Sequence, residues 1–366
     1  MNERDGGGVS GQAPRVLLAD ENKGFGGAER HVLSLARELL DQGILEALVA
    51  RPQSWLAQNR GELPFHPVGF RNEVDMLSVF SIYRRIKSAN ASVLHCIGHR
   101  DLVASALARQ LPGAPPTVLI KAEHSYPDSN LSPLFRWAYS QCHAITTVSE
   151  ALREATKSAV NPTEKTRMVT IHNGMEPGPA VEPRPPTPGR PLRIGVLSPV
   201  RPGKGHQDFL QAASRLQEEN FKLHFSIAGD GESLEELKHE AARRKLEIEF
   251  PGHLENPMDY LASLDLSVVP SHRETFSLVT LESMVSGRPI VAANSAGVEE
   301  ICRDYPAELY PAGDTDALYH AMARFCAAPD GFLERALAAA EKARENFHSA
   351  RMANTYHSLY SELLSA

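Results

Sequence analysis

From Val16 onward, short apolar runs alternate with longer stretches in which apolar positions recur every three or four residues. This is the pattern of parallel strands joined by helical crossovers. In the first half it predicts strands at 15–19, 46–50, 92–96, 117–121, 144–148 and 168–172, with helices between them. Six such βα units predict one doubly wound domain. Residues 176–191 hold seven prolines in sixteen positions, which excludes a helix or a central strand and predicts an interdomain linker. A second series of strands follows at 192–197, 221–228, 247–250, 266–270, 289–293 and 308–310, and beyond Thr315 the pattern is almost entirely helical. The fold class predicted is therefore α/β, with two Rossmann-like domains facing each other across a cleft. Its parts are a disordered tail at 1–14, an N-terminal domain at 15–175, the linker at 176–191 and a C-terminal domain at 192–345. A last helix at 346–366 is expected to pack back on the N-terminal domain.

Length agrees with two domains, since 366 residues exceed what one hydrophobic core usually supports. A net charge of −7, from 38 basic and 45 acidic side chains, argues against a dedicated nucleic-acid binder. Cys96, Cys142, Cys302 and Cys326 stand far apart without metal-ligand spacing, as expected of reduced thiols in a cytoplasmic protein. The Gly-rich first fourteen residues lack the apolar core of a signal peptide, and no run reaches the length of a membrane span. Any membrane contact is then peripheral. Residues 76–87, MLSVFSIYRRIK, set apolar side chains beside Arg84, Arg85 and Lys87. That suits a face resting on an anionic membrane with a lipid acceptor, but also a core helix with a basic last turn.

Four segments carry candidate chemistry. Gly24-Phe25-Gly26-Gly27-Ala28-Glu29-Arg30 follows the first strand and opens a helix, where backbone amides can approach an anion; a tight turn alone would also explain the glycines. The third glycine of the dinucleotide fingerprint is absent, which argues against a nicotinamide cofactor. Ser198-Pro199-Val200-Arg201-Pro202-Gly203-Lys204-Gly205 places two cations at a helix start, where they oppose the helix dipole unless an anion such as a diphosphate offsets them. In the segment from Pro270 to Met284, Glu274 lies in a polar loop and Glu282 in an apolar helix. Their spacing of eight recurs at Glu21/Glu29 and elsewhere, so placement carries the signal: a carboxylate on an apolar face needs partners, and sugar hydroxyls can donate to it. His124 ends a first-domain strand, where such folds keep their chemistry, although most histidines do ordinary structural work. Asp314-Thr315-Asp316 has the carboxylate spacing of metal-dependent transferases, but helix capping explains it more simply, and no metal site is expected.

Together these segments resemble the retaining glycosyltransferases of family 4, with the GT-B fold, over about residues 15 to 345. The strongest element is the E-x7-E signature in PSHRETFSLVTLESMVSGRPIVA, followed by Ala296-Gly297-Val298-Glu299-Glu300. GFGGAER, ITTVSE, IHNGM, RPGKG and AGDGE support it. The resemblance implies that Lys204 holds the donor diphosphate, Glu274 touches the donor sugar, Glu282 binds the ribose and His124 lies near the reacting face. The donor-binding set expected is Gly26, Gly27, Arg201, Lys204, His253, Glu274, Phe276, Ser277, Leu278 and Glu282, with His124 and Glu274 catalytic. Ser198-Pro199 depart from the family's frequent Gly-Arg, leaving Arg201 as the alternative second cation, and Thr275 replaces a common glycine.

The function implied is transfer of a sugar, with retention and without a cofactor or metal. The donor would be a nucleotide-diphosphate sugar and the acceptor a glycan or lipid-linked sugar in cell-envelope synthesis, at the inner face of the membrane. A GT-B nucleotide-sugar epimerase and an inactive nucleotide-sugar-binding module are the competing readings.

Overall fold

The computed structural model describes residues 13–128, 130–176, 189–219, 221–254 and 256–366. Most of the expected tail and of the Pro-rich linker lies outside the described residues. The chain divides into two compact units: one holds the described residues up to Val148, Leu152–Met175 and Ser349–Ala366, and the other holds Ser149–Ala151 and the described part of Glu176–His348.

The first unit is built on seven strands: β1 (Val16–Asp20), β2 (Leu45–Ala50), β3 (Phe65–Pro67), β4 (Val93–Cys96), β5 (Val118–Glu123), β6 (Ala144–Thr147) and β7 (Arg167–Thr170). Between them run α1 (Gly27–Asp41), α2 (Trp55–Asn59), α3 (Met76–Ala89), α4 (His99–Ala108), α5 (Pro133–Ser140) and α6 (Glu150–Val160), the last belonging to this unit from Leu152 on. The sheet order is β3-β2-β1-β4-β5-β6-β7, and every pairing is parallel. The order therefore reverses between β1 and β4. Apolar side chains on the two faces of the strands form separate cores, one with Val16, Leu18 and Leu48, the other with Leu17, Ala47 and Val49. This two-sided burial is why the strands read as continuous apolar runs.

The sequence pattern gives six strands here, and the structure has seven. The additional one, β3, is a three-residue edge strand with partly exposed Phe65 and His66, ending at Pro67. It is too short to show a period, and its proline fits only an edge.

The second unit has six parallel strands: β8 (Leu192–Leu197), β9 (Leu223–Ala228), β10 (Ile248–Gly252), β11 (Leu266–Val269), β12 (Ile290–Asn294) and β13 (Glu308–Pro311). Their order is β10-β9-β8-β11-β12-β13, reversing between β8 and β11. The helices are α7 (His206–Gln217), α8 (Leu234–Arg243), α9 (Pro257–Ser263), α10 (Leu278–Val285), α11 (Ala296–Cys302), α12 (Thr315–Ala327) and α13 (Pro329–Asn346). Asp314 caps α12, its side chain accepting the Ala317 N–H at 2.9 Å, so the Asp-Thr-Asp triplet has the capping use that the sequence suggested.

The final helix, α14 (Ser349–Ser365), belongs to the first unit. It lies on α1, and its Met352, Ala353, Tyr356, Leu359 and Tyr360 are buried in the same core as β1 and β2. The Ser349 N–H donates to the Met175 carbonyl at 3.1 Å, which ties the start of α14 to the end of the preceding segment of that unit.

Candidate active site

In a doubly wound sheet the loops that flank the reversal of strand order leave a crevice at the carboxyl ends of the strands. In the second unit those loops follow β8 and β11, and they carry Lys204 and Glu274. Lys204 Nζ donates to Glu274 Oε1 at 2.7 Å, with each side chain about one-sixth exposed. Further contacts fix the two loops to each other. The His272 N–H donates to the Gly203 carbonyl at 3.0 Å, and His272 Nε2 lies 2.6 Å from Asp208 Oδ2. Gly205 caps α7 in the left-handed region at φ 69°, and a Cβ there would meet the Pro270 carbonyl oxygen at 1.9 Å. Only glycine fits, because both the conformation and the clearance exclude a side chain.

Ser277 starts α10 with φ 71°, a strained value for a residue with a Cβ, and its hydroxyl lies 2.9 Å from Thr280 Oγ1. Ser277 Oγ also accepts the Thr280 N–H at 3.4 Å, and the Leu278 and Val279 amides that precede it in the first turn of α10 belong to this same loop, the kind of helix start that can take an anion. Phe276 is buried edge-on against Phe347, with ring centroids 6.2 Å apart. Glu282 is 1% exposed within α10. The structure thus gathers Lys204, Glu274, Phe276, Ser277 and Leu278 in one place. Arg201 and His253 are exposed at the same sheet edge, His253 after β10, two strands from β8. His206, buried beside Ser198 Oγ at 2.9 Å, is held near a pKa of about 4 by burial and then by the Lys204 charge.

Gly297 was not singled out as a candidate in the sequence, yet a Cβ on it would lie 2.3 Å from the Thr275 carbonyl carbon and 2.6 Å from the Phe276 nitrogen. The start of α11 therefore presses on the backbone that carries Glu274. Asp208 and His272 were also missed, because their pairing spans 64 residues and no local pattern marks it.

In the first unit, His124 follows β5 and is half-buried. Burial first, then the positive charge of neighbouring groups, holds its pKa well below the ordinary value, so the ring is neutral at pH 7. Its ring centroid is 4.4 Å from that of His31 on α1. His31, at a pKa of about 4, packs edge-on to Tyr356 of α14, and His95 Nδ1 lies 2.8 Å from Tyr360 Oη. Just before His124, the buried Lys121 pairs with Glu123 at 2.9 Å and donates to the Ile97 and Ala122 carbonyls. Tyr139 donates to Glu123 as well. A buried ion pair persists only when its remaining lone pairs and protons are satisfied in this way.

Gly26 and Gly27 open α1 in this unit, and the buried Glu29 sits against them: a Cβ on Gly26 would be 3.1 Å from Glu29 Oε2. A carboxylate of the chain itself already takes up this helix start, a use of the glycines that the sequence reading did not foresee.

The family profile described as Glycosyltransferase Family 4 matches residues 25–178, and that described as Glycosyl transferases group 1 matches residues 191–328. Among curated proteins, the chain is 29% identical over 171 residues to the glycogen synthase of Mycobacterium tuberculosis, covering 45% of this chain and 40% of that one. It is 28% identical over 207 residues to the D-inositol 3-phosphate glycosyltransferase of Geodermatophilus obscurus, covering 48% and 46%. The matches thus span less than half the length of either relative. Among solved structures, Anabaena HepE in complex with UDP superimposes with a TM-score of 0.80 at 18% identity, over 95% of this chain and 100% of that one. The shared fold is GT-B, two Rossmann-like domains in one chain.

Proposed function

Since the chain belongs to the group 1, family 4 glycosyltransferases, we propose that it transfers a sugar, with retention, from a nucleotide-diphosphate sugar to a glycan or lipid-linked acceptor in cell-envelope synthesis. The observation that carries this reading is the Lys204–Glu274 contact at the point where the second sheet reverses its order. A cation and a carboxylate side by side suit a substrate that is anionic at its diphosphate and rich in hydroxyl donors at its sugar. Lys204 and the first-turn amides of α10 would stabilise charge growing on the departing diphosphate. That supports a reaction without a resident metal, with Arg201 as a second cation. Glu282 is assigned to the ribose, Glu274 to the sugar hydroxyls, and His124 to the reacting face, the last on family resemblance alone.

The lipid-linked acceptor is favoured by α3. One face of this helix is core, through Val79, Ile82 and Ile86. Its other face, with the turn before it, exposes Val74, Met76, Leu77 and Phe80, followed along the helix by exposed Arg84 and Lys87. The helix starts at the carboxyl-end edge of the first sheet, the edge that also carries His124. Apolar side chains flanked by cations suit an anionic bilayer surface. No helix among the described residues is long and apolar enough to cross a membrane.

The test is calorimetry with uridine, guanosine and adenosine diphosphates, uridine first because HepE binds UDP, followed by transfer assays with and without a chelator. Lys204→Ala is expected to weaken diphosphate binding by about 1.5–3 kcal/mol and to slow transfer. Unchanged affinity and rate in a folded Lys204→Ala protein would remove the basis of the assignment. Donor turnover without any acceptor would point instead to an epimerase.

A further inference from the structure

At the opposite end of the first sheet from His124, where β5 and β6 begin, Arg109, Cys142, His143 and Lys165 border a hollow of about 630 Å³. His143 immediately precedes β6, and the Leu119 backbone N–H donates to its Nδ1 at 3.0 Å. That bond occupies the Nδ1 lone pair, so a neutral ring must carry its proton on Nε2. Burial and then the Arg109 charge lower the ring's pKa, which keeps it neutral. Arg109 Nη2 lies 3.4 Å from that same Nε2. A guanidinium nitrogen can only donate. Two donors therefore face each other, and neither can satisfy the other.

The guanidinium is held in this position by its other terminal nitrogen, which donates to the Gln141 carbonyl at 3.1 Å. Burial pulls its pKa down, the opposite of what a carboxylate partner does, and among the described residues no carboxylate forms an ion pair with it. Lys165, exposed at the rim, adds a second cation to the half-buried Arg109, and Glu164 is the one carboxylate in the lining. What the pair of donors lacks is a shared acceptor.

We propose that this hollow binds a small phosphate-type oxyanion, one oxygen accepting from both His143 Nε2–H and Arg109 Nη2–H, with Lys165 supplying charge from the rim. The site lies in a different unit from the Lys204 and Glu274 loops, so it would act independently of donor binding. The test is nitrogen NMR of the imidazole side chains, with the His143 signals identified by their loss in His143→Gln. The free protein is expected to show the Nε2-protonated tautomer. Inorganic phosphate, exchanged for sodium chloride at constant ionic strength, is expected to move the His143 signal in a saturable way. Arg109→Gln is expected to abolish that response, and the exposed Lys165→Ala to weaken binding about two- to fivefold. Lys204→Ala is expected to leave the response intact, which separates it from phosphate held by the donor loops. A proton found on Nδ1 would overturn the proposal, as would a His143 signal that phosphate moves no further than chloride does.

Discussion

Lys204 and Glu274 meet near the surface, where an ion pair contributes at most about 1 kcal/mol. The contact therefore orients the lysine at little cost, and a diphosphate can replace the carboxylate as its partner. From this it follows that Glu274→Ala should not reduce affinity for a bare nucleoside diphosphate, while transfer falls about tenfold or more as the sugar loses its acceptor. Glu282→Ala should weaken bare nucleotide and intact donor alike, by about 1.5–3 kcal/mol, because both carry the ribose. Calorimetry on the two variants separates the roles, and the reverse pattern would exchange them. Asp20 gives a prediction of another kind. Burial pushes its pKa up from 3.8 to about 7, and its Oδ1 accepts the Asn22 N–H at 2.8 Å. The folded state thus holds this proton more tightly than the unfolded state. The stabilisation is complete below about pH 4 and is lost as pH rises through about 7. Asp20→Asn keeps an acceptor and cannot ionise, so its advantage over the parent is expected to grow between about pH 4 and pH 7, to at most about 4 kcal/mol, and then level off. Urea unfolding across that range measures it. The buried His31 and His95 act with the opposite sign, losing their contribution as pH falls below 6.5, and they cancel in the comparison.

At the scale of elements, the apolar runs located all six strands of the second sheet and six of the seven in the first, because strands buried on both faces leave an unbroken signature. The start of α10 near Ser277 was legible for a similar reason: a polar loop gives way there to Leu278, Leu281 and Met284. What composition and period cannot carry is clearance between distant backbones. The contact of Gly297 with Thr275 and Phe276 has no trace in either local sequence, and neither does the neutral histidine pair His31–His124. Gly297→Ala tests whether that clearance matters. Its Cβ would strike main-chain atoms, so the Glu274 loop must move, with an expected loss of about 1–3 kcal/mol of stability and a weaker donor complex. Thermal unfolding and donor titration read the two effects, and a variant equal to the parent in both would disconnect α11 from the site.

On the scale of the molecule, the first unit is assembled from segments on both sides of the second in sequence. Met352, Tyr356, Leu359 and Tyr360 of α14 lie fully inside its core. Burying four such side chains contributes roughly 6–12 kcal/mol, comparable with the whole stability of an ordinary domain. Deleting residues 349–366 is therefore expected to unfold the first unit while the second still melts cooperatively and binds nucleoside diphosphate. Scanning calorimetry would then show one transition, and two intact transitions would refute the dependence on α14. The same arrangement governs events on the ribosome. Domains usually fold in the order in which they are synthesised, but here the unit that begins first lacks part of its core until α14 has been made. The second unit is nearly continuous in sequence and can fold as it emerges. The first must wait for roughly 10–40 s after its strand β7 is translated, at ordinary rates of synthesis, with the surface meant for Tyr356 and Leu359 uncovered. That interval is when a chaperone would be most needed.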